Sequence, residues 1–128
     1  MVDLNAAIQT FMRRPAVVAF TTATRIWPGK TPPPIYTPAA GPAVVFAIRG
    51  GPMDTTGRIA LCSTVVRYYG ETEELRNDTW RASMDDWHDQ KDGTVSAQID
   101  VLPQPLTEPS TQGWDFLLTF WTFRVKNH

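Results

Sequence analysis

The 128-residue sequence has only one cysteine, Cys62. A single thiol cannot form a disulfide within the chain, and it excludes a metal site built from several cysteines. No segment approaches the roughly 20 apolar residues that span a bilayer. Residues 1–14 lack the basic start, apolar centre and small-residue cleavage site of a signal peptide. These absences predict a soluble, intracellularly made protein with no membrane partner, folded as a single domain over residues 1–128.

Net charge is also nearly absent, at −1 from 12 Lys+Arg and 13 Asp+Glu. Such a balance makes the chain a poor candidate for binding nucleic acid by bulk electrostatics, and we expect no sequence-specific nucleic-acid partner. The two signs of charge are unevenly distributed along the chain. Residues 1–67 hold seven bases and two acids, whereas residues 71–92 hold eight acids and three bases. The sequence therefore combines a basic half with an acidic segment.

Proline is concentrated in two stretches, Pro28–Pro42 and Pro103–Gly113. Neither a helix interior nor a central strand tolerates this proline density, so both stretches are predicted to be loops. Gly50–Gly57 is predicted to be a third loop, a turn between two strands. We expect all three loops to be exposed in an isolated subunit.

Helical spacing of apolar residues appears twice. The first helix is predicted over Leu4–Arg14, with Asp3 as its N-cap, and Pro15 can begin one further turn through residues 16–20. The second helix is predicted over Glu73–Gln90, because Thr72 can cap it and acids fill its first turn.

Four segments have the apolar and β-branched composition of strands: Ala43–Arg49, Arg58–Tyr69, Thr94–Leu102 and Trp114–Lys126. Both faces of the last strand are apolar, so it should be central in the sheet or covered by a partner subunit. The order of elements predicts an α+β fold: a mainly antiparallel four-stranded sheet flanked by the N-terminal helix and a crossover helix.

Residues capable of catalysis are sparse. Cys62 lies in the middle of a predicted strand, where a buried, structural cysteine is expected. Asp85, His88 and Asp89 could share a helical face and bind a metal, but ligands from a second element are missing, so a solvated acidic face is the preferred interpretation. Gly50-Gly51 lacks the lysine and following helix of a phosphate loop. We therefore expect no enzyme activity, no metal and no cofactor.

The order of elements and a few anchor residues resemble the tail-terminator (tail-completion, minor tail) proteins of long-tailed bacteriophages. The matching pieces cover nearly the whole chain: the helix Leu4–Met12, Arg25-Ile26-Trp27-Pro28 before a proline-rich loop, a strand ending in Arg-Gly-Gly at Gly51, Tyr69-Gly70 at the end of a long strand, a helix, a strand, a loop with Gly113 and Asp115, and a final long strand.

This resemblance implies a structural virion protein rather than an enzyme. Members of the family form a homo-oligomeric ring, expected to be a hexamer, which caps the tail tube and joins it to the head. The implied partners are a second copy of the chain, the major tail tube protein and the head–tail connector. The implied location is the tail or neck of the virion, after assembly in the host cytoplasm. Another neck or head-completion protein and a small host-targeting binding module remain alternatives.

Ring closure requires two different, complementary patches on each subunit. We expect the acidic helix to face the basic half of a neighbour, with ion pairs setting orientation and apolar burial supplying affinity. Pairing of these charges within one subunit is the alternative. The candidate interface residues are Arg25, Arg49, Arg58, Arg67, Glu74, Asp78, Asp85 and Asp89, with Leu117, Trp121 and Phe123 from the last strand.

The three loops are expected to contact the tail tube or the connector, because loops on a rigid scaffold carry recognition. The candidate residues are Pro33, Tyr36, Met53, Asp54, Pro105 and Glu108.

Overall fold

A computed structural model describes residues 3–22, 24–51, 59–92, 95–108 and 114–126, the side chains of Asp92 and Glu108 excepted. Three α-helices pack on one face of a six-stranded sheet with the strand order β1-β2-β3-β6-β5-β4. The helices are α1 (Leu4–Met12), α2 (Pro15–Thr21) and α3 (Glu73–Trp87). The strands are β1 (Ile26–Pro28), β2 (Ala43–Gly50), β3 (Ile59–Tyr69), β4 (Lys91–Asp92), β5 (Val95–Glu108) and β6 (Trp114–Lys126).

The expected fold class, a mainly antiparallel sheet of four strands flanked by two helices, is wrong. The sheet has six strands and is mixed, because β1 runs parallel to β2, and there are three α-helices. The two missed strands contain three and two residues, which is too short for an alternating pattern to stand out. The turn expected after Pro15 is a helix of seven residues.

Residues Gly29–Pro42 connect the parallel strands β1 and β2. Parallel neighbours cannot be joined by a tight turn and need a crossover of about a dozen residues or more, usually a helix. Here the proline-rich segment performs this role, with a single 3₁₀ turn at Pro38–Ala40. The length of the segment therefore follows from the topology of the sheet.

The covered face of the sheet, against which the helices pack, contains the larger core. It includes the even-numbered residues of β3 and the odd-numbered residues of β6, because the two strands pair antiparallel with Val66 opposite Thr119. Stacked and edge-on aromatic rings fill its centre: Trp87 lies 5.4 Å from Trp121 and 6.4 Å from Tyr68 between ring centroids. Trp121, Trp87 and Tyr68 have no solvent exposure.

The open face is the opposite side of the sheet, on which no helix packs within the described ranges. Tyr36, from the crossover segment, covers one end of it together with Trp27, Tyr69, Phe116 and Trp114. Over the rest of the open face, the side chains range from the buried Val65 to the exposed Arg124. This face carries the odd-numbered residues of β3 and the even-numbered residues of β6.

Candidate functional site

Beyond the Tyr36 cluster, no described element covers the open face, which is both apolar and basic. Val65 is buried in its centre, while Leu118 and Phe120 of β6 are half-buried. On the outer strand β5, Val101 pairs with Phe120 and is 40 % exposed. A sheet face of this kind is normally packed against another layer, so these side chains have more contacts to gain.

Basic side chains surround these apolar residues. We refer to them as the basic strip: Arg49, Arg67, Lys91, Arg124 and Lys126. The strand registers place four of them on the open face. Arg49 lies at the register shift of β2, and its contact with Phe120 places it on the same face. The guanidinium carbon of Arg49 lies 5.2 Å above the ring of Phe120. Among the described side chains of this face, Asp100 is the only acid, and it accepts a hydrogen bond of 2.6 Å from Thr122.

Arg67 has the most unusual environment of the basic strip. Its register neighbours are Val45 and Leu118, and its guanidinium carbon lies 5.9 Å from the centre of the Phe116 ring. Its Nε and Nη1 atoms are buried and have no hydrogen-bond partner in the part of the chain that the structure describes. Burying such donors costs free energy unless an acceptor reaches them.

Helix α3 forms the opposite, acidic surface of the subunit. Glu74, Asp78 and Asp85 follow one side of the helix, because they are separated by four and seven residues. With Asp89 beyond the helix end, we call these four residues the acidic stripe. Glu74, Asp85 and Asp89 are exposed, and Asp78 lies 3.7 Å from Arg81. The sheet thus separates a basic surface from an acidic one.

One of the expected basic interface residues, Arg25, takes no part in the basic strip. Arg25 is half-buried and bonded within the chain: its Nε donates to the Pro42 carbonyl at 2.9 Å and its Nη2 to the Phe20 carbonyl at 3.2 Å. It holds the end of the crossover segment against α2. Arg58 lies outside the described residues.

The apolar interface residues expected on β6 are on the wrong side of the sheet. Leu117, Trp121 and Phe123 are at most 4 % exposed. They pack in the core under the helices, so they offer no surface to a neighbour. The accessible side of β6 is the alternate one, with Leu118 and Phe120. Alternation alone could not show which side the helices cover.

The expected loop contacts also need correction. Tyr36 is only 3 % exposed, since its ring packs edge-on against Trp27 at 5.4 Å and Trp114 at 5.8 Å. Pro33 is half-buried. The neighbouring Ile35, which the sequence pattern did not single out, is 92 % exposed. Because Tyr36 is fixed, Ile35 projects from an anchored segment.

The segment Pro103–Gly113, expected to be a loop, belongs to strand β5 as far as Glu108. Pro105 is exposed within β5, and Glu108 is the last residue of that strand. The pairing of β5 with β6 is irregular around residues 99–104, and β5 is an edge strand beyond the two residues of β4. Proline is tolerated at edges and irregularities, so its presence did not exclude a strand. Met53 and Asp54 lie outside the described residues.

Of the groups with catalytic potential, Cys62 and His88 are held within the fold. Cys62 is 2 % exposed, and burial raises the pKa of its thiol. Helix α3 ends at Trp87, so Asp85, His88 and Asp89 do not share a helical face. The Nδ1 atom of His88 accepts the amide proton of Ile99 at 3.1 Å. Across the described residues, no group of three His, Cys, Asp or Glu is placed to hold a metal ion, and none of the helices has the length and apolarity to cross a membrane.

The comparisons with known proteins concern the fold. No family model matches the sequence, and no curated protein matches it. A chain from a solved structure described as "Virion of native gene transfer agent (GTA) particle" is similar in structure, with a TM-score of 0.62. It is 17 % identical, and the match covers 97 % of this chain and 95 % of that chain. The two chains therefore share their fold from end to end.

Proposed function

We propose that this protein is a structural component of a phage-like virion. The observation that carries the proposal is the similarity to a chain of the gene transfer agent virion, which extends over nearly the full length of both chains. A match of this extent concerns the whole domain rather than a common substructure. The resemblance to tail-terminator proteins, noted independently from the sequence, points to the same class of particle.

Within the virion, we propose that the chain forms a homo-oligomeric ring that caps the end of the tail tube and joins it to the head-side connector. Ring closure needs two unlike surfaces on each subunit. The basic strip and the acidic stripe, on opposite sides of the sheet, meet this requirement. A neighbouring neck position, as a head-completion protein, would use the same two surfaces.

We also propose that the protein is not an enzyme. The cysteine thiol is buried with a raised pKa, and a thiol in this state is a poor nucleophile. The histidine nearest to the acidic stripe, His88, uses its Nδ1 atom to accept a backbone hydrogen bond. These arrangements serve the fold and leave both groups poorly placed for chemistry.

The mass of the purified chain, alone and after mixing with tail tubes of the same particle, tests the ring. We expect a closed oligomer, in solution or on the tube, and electron micrographs that show one ring at the head-proximal tube end. Removing the protein should yield separate heads and tails. A ring that binds the connector but not the tube would indicate the neighbouring neck position. A chain that stays monomeric under both conditions would contradict the proposal.

A further inference from the structure

Among the described side chains, the basic strip has no acidic partner of matching size in its own subunit. Asp100 is the only acid on the open face among the described side chains, and its carboxylate already accepts a hydrogen bond from Thr122. Five acids lie instead on α3, which packs on the covered face. Because α3 packs on the covered face, its acids lie on the other side of the sheet from Arg67 and Arg124.

We infer that the basic strip binds the acidic stripe of a second copy of this chain, so that the open face of each subunit is covered by helix α3 of the next. This interface rests on the ring proposed above. It is heterologous, since two different surfaces meet, and repetition of such a contact closes into a ring when the rotation allows.

The dimensions of the two surfaces agree. Arg124 pairs with Leu61, which is six positions before Arg67 on β3. At roughly 3.3 Å per residue, Arg124 and Arg67 are therefore about 20 Å apart along the strands. Glu74 and Asp85 are eleven positions apart on α3, about 16 Å at a rise of 1.5 Å per residue. A helix laid along the strands therefore brings acids near both ends of the strip.

Arg67 supplies a second, independent reason for an external acid. Its buried Nε and Nη1 donors lack a partner among the described residues, and its surroundings are apolar. Carboxylate oxygens from a neighbour would accept hydrogen bonds from these donors, and such charge-assisted bonds are stronger than neutral ones. The same docking would cover Leu118 and Phe120, which are half-buried in the isolated subunit.

Reversing the charge of each surface separately gives the test. The sheet variant combines Arg49→Glu with Arg124→Glu, and the helix variant combines Glu74→Arg with Asp85→Arg. All four native side chains are exposed, so both variants should fold, which circular dichroism and thermal unfolding will verify. Arg13→Glu with Lys30→Glu is the matched control, because these exposed cations lie outside both surfaces.

In a solution of one variant alone, the strip and the helix surface that would meet carry charges of the same sign. We expect the concentration needed for half-maximal assembly to rise about tenfold or more, since like charges across an interface suppress association. The control should assemble like the wild type. Raising the salt concentration should weaken wild-type assembly and partly rescue each variant, because exposed charges are screened.

Mixing the two variants in equal amounts is the decisive experiment. The unchanged helix of the sheet variant then meets the unchanged strip of the helix variant, and the two reversed surfaces meet each other. Every contact again joins opposite charges, but only if the variants alternate around the ring. We expect native mass spectrometry to show restored oligomers that contain equal numbers of the two variants.

Several outcomes would overturn the inference. If the sheet variant and the helix variant each form the wild-type oligomer, this interface is excluded, while the proposed ring stays intact. Unassembled variants that stay apart after mixing would exclude the head-to-tail arrangement. Retardation of duplex DNA by the wild type but not by the sheet variant, with the oligomer mass unchanged, would assign the basic strip to nucleic acid. A monomeric wild type would instead contradict the proposed function itself.

Discussion

Asp86, near the end of α3, caps the beginning of α2 by accepting a hydrogen bond of 2.8 Å from the backbone amide of Ala16. The same Oδ2 atom accepts a second bond of 3.1 Å from the next amide, that of Val17. The residue at the N-cap position of α2, Arg14, supplies no side-chain cap of its own. A carboxylate 70 positions away in the sequence therefore satisfies two amides that the helix leaves without partners.

Replacing this carboxylate should loosen α2 from α3. We expect Asp86→Ala to lower the free energy of unfolding by about 1–2 kcal/mol, the range measured for the loss of an N-cap. Urea titrations at neutral pH would measure it. Asp85→Ala is the matched control, since Asp85 is the exposed neighbour and should change stability by less than about 0.5 kcal/mol. Equal effects at the two positions would contradict the capping role.

The elements with a long periodic pattern could be predicted from the sequence. Helix α1 begins at Leu4 with Asp3 as its cap, as expected, and the side chain of Asp3 accepts from the Ala6 amide at 3.1 Å. Strand β6 has the predicted limits, Trp114–Lys126, and lies between β3 and β5. Both segments could be located because their side-chain spacing and their end signals agree.

The remaining features depend on distant parts of the chain. Strand β1 has three residues, and its pairing with β2 is parallel, so no local pattern indicates it. The cap on α2 comes from a residue that the sequence pattern assigned only to an acidic helix. The side of β6 that the helices cover follows from the whole topology. For the same reason, Arg124 and Lys126 were missed, although alternation along β6 already placed them on one side with Phe120.

Cys62 should be an unreactive thiol in the folded protein. The side chain is 2 % exposed, and burial raises the pKa of the thiol. Thiolate is the reactive form, so a neutral disulfide reagent at about pH 8 should label the native protein slowly and the urea-unfolded protein at once. Rapid labelling of the native state would show that β3 is accessible from the covered face.

Tyr36 should make stability depend on pH in the alkaline range. Burial raises the pKa of Tyr36 to about 12 from its ordinary value of 10.0, while the charge of Arg25 acts in the opposite direction. The hydroxyl donates to the Gly41 carbonyl at 2.7 Å, so Tyr36→Phe should cost about 0.5–1.5 kcal/mol at neutral pH. A raised pKa gives stability that is complete below pH 10 and is lost as the pH rises through about 12.

The comparison of wild type with Tyr36→Phe isolates this contribution. Burial also raises the pKa of Tyr68, and that group is present in both proteins, so both should lose stability in alkali. Because the phenylalanine ring of the variant cannot ionise, the difference in denaturation midpoint should shrink above about pH 10. A difference that stays constant up to about pH 12 would indicate that the Tyr36 hydroxyl is not held as the structure shows.

Ile35 should act in attachment to the tail tube or connector and leave the fold unaffected. Its side chain is 92 % exposed, yet the residue is preceded by a run of prolines at positions 32–34 and followed by the buried Tyr36. Prolines restrict the backbone, so little conformational entropy remains to be lost on binding.

We expect Ile35→Asp to change the free energy of unfolding by less than about 0.5 kcal/mol, as for other exposed positions. Oligomer mass should stay unchanged, because the residue lies outside both charged surfaces, while the fraction of tubes joined to heads falls. The matched control is Thr37→Asp, which adds the same charge at an exposed position on the other side of Tyr36. If the Ile35→Asp variant joins tubes to heads normally, or if Thr37→Asp impairs joining equally, Ile35 is not part of the attachment surface.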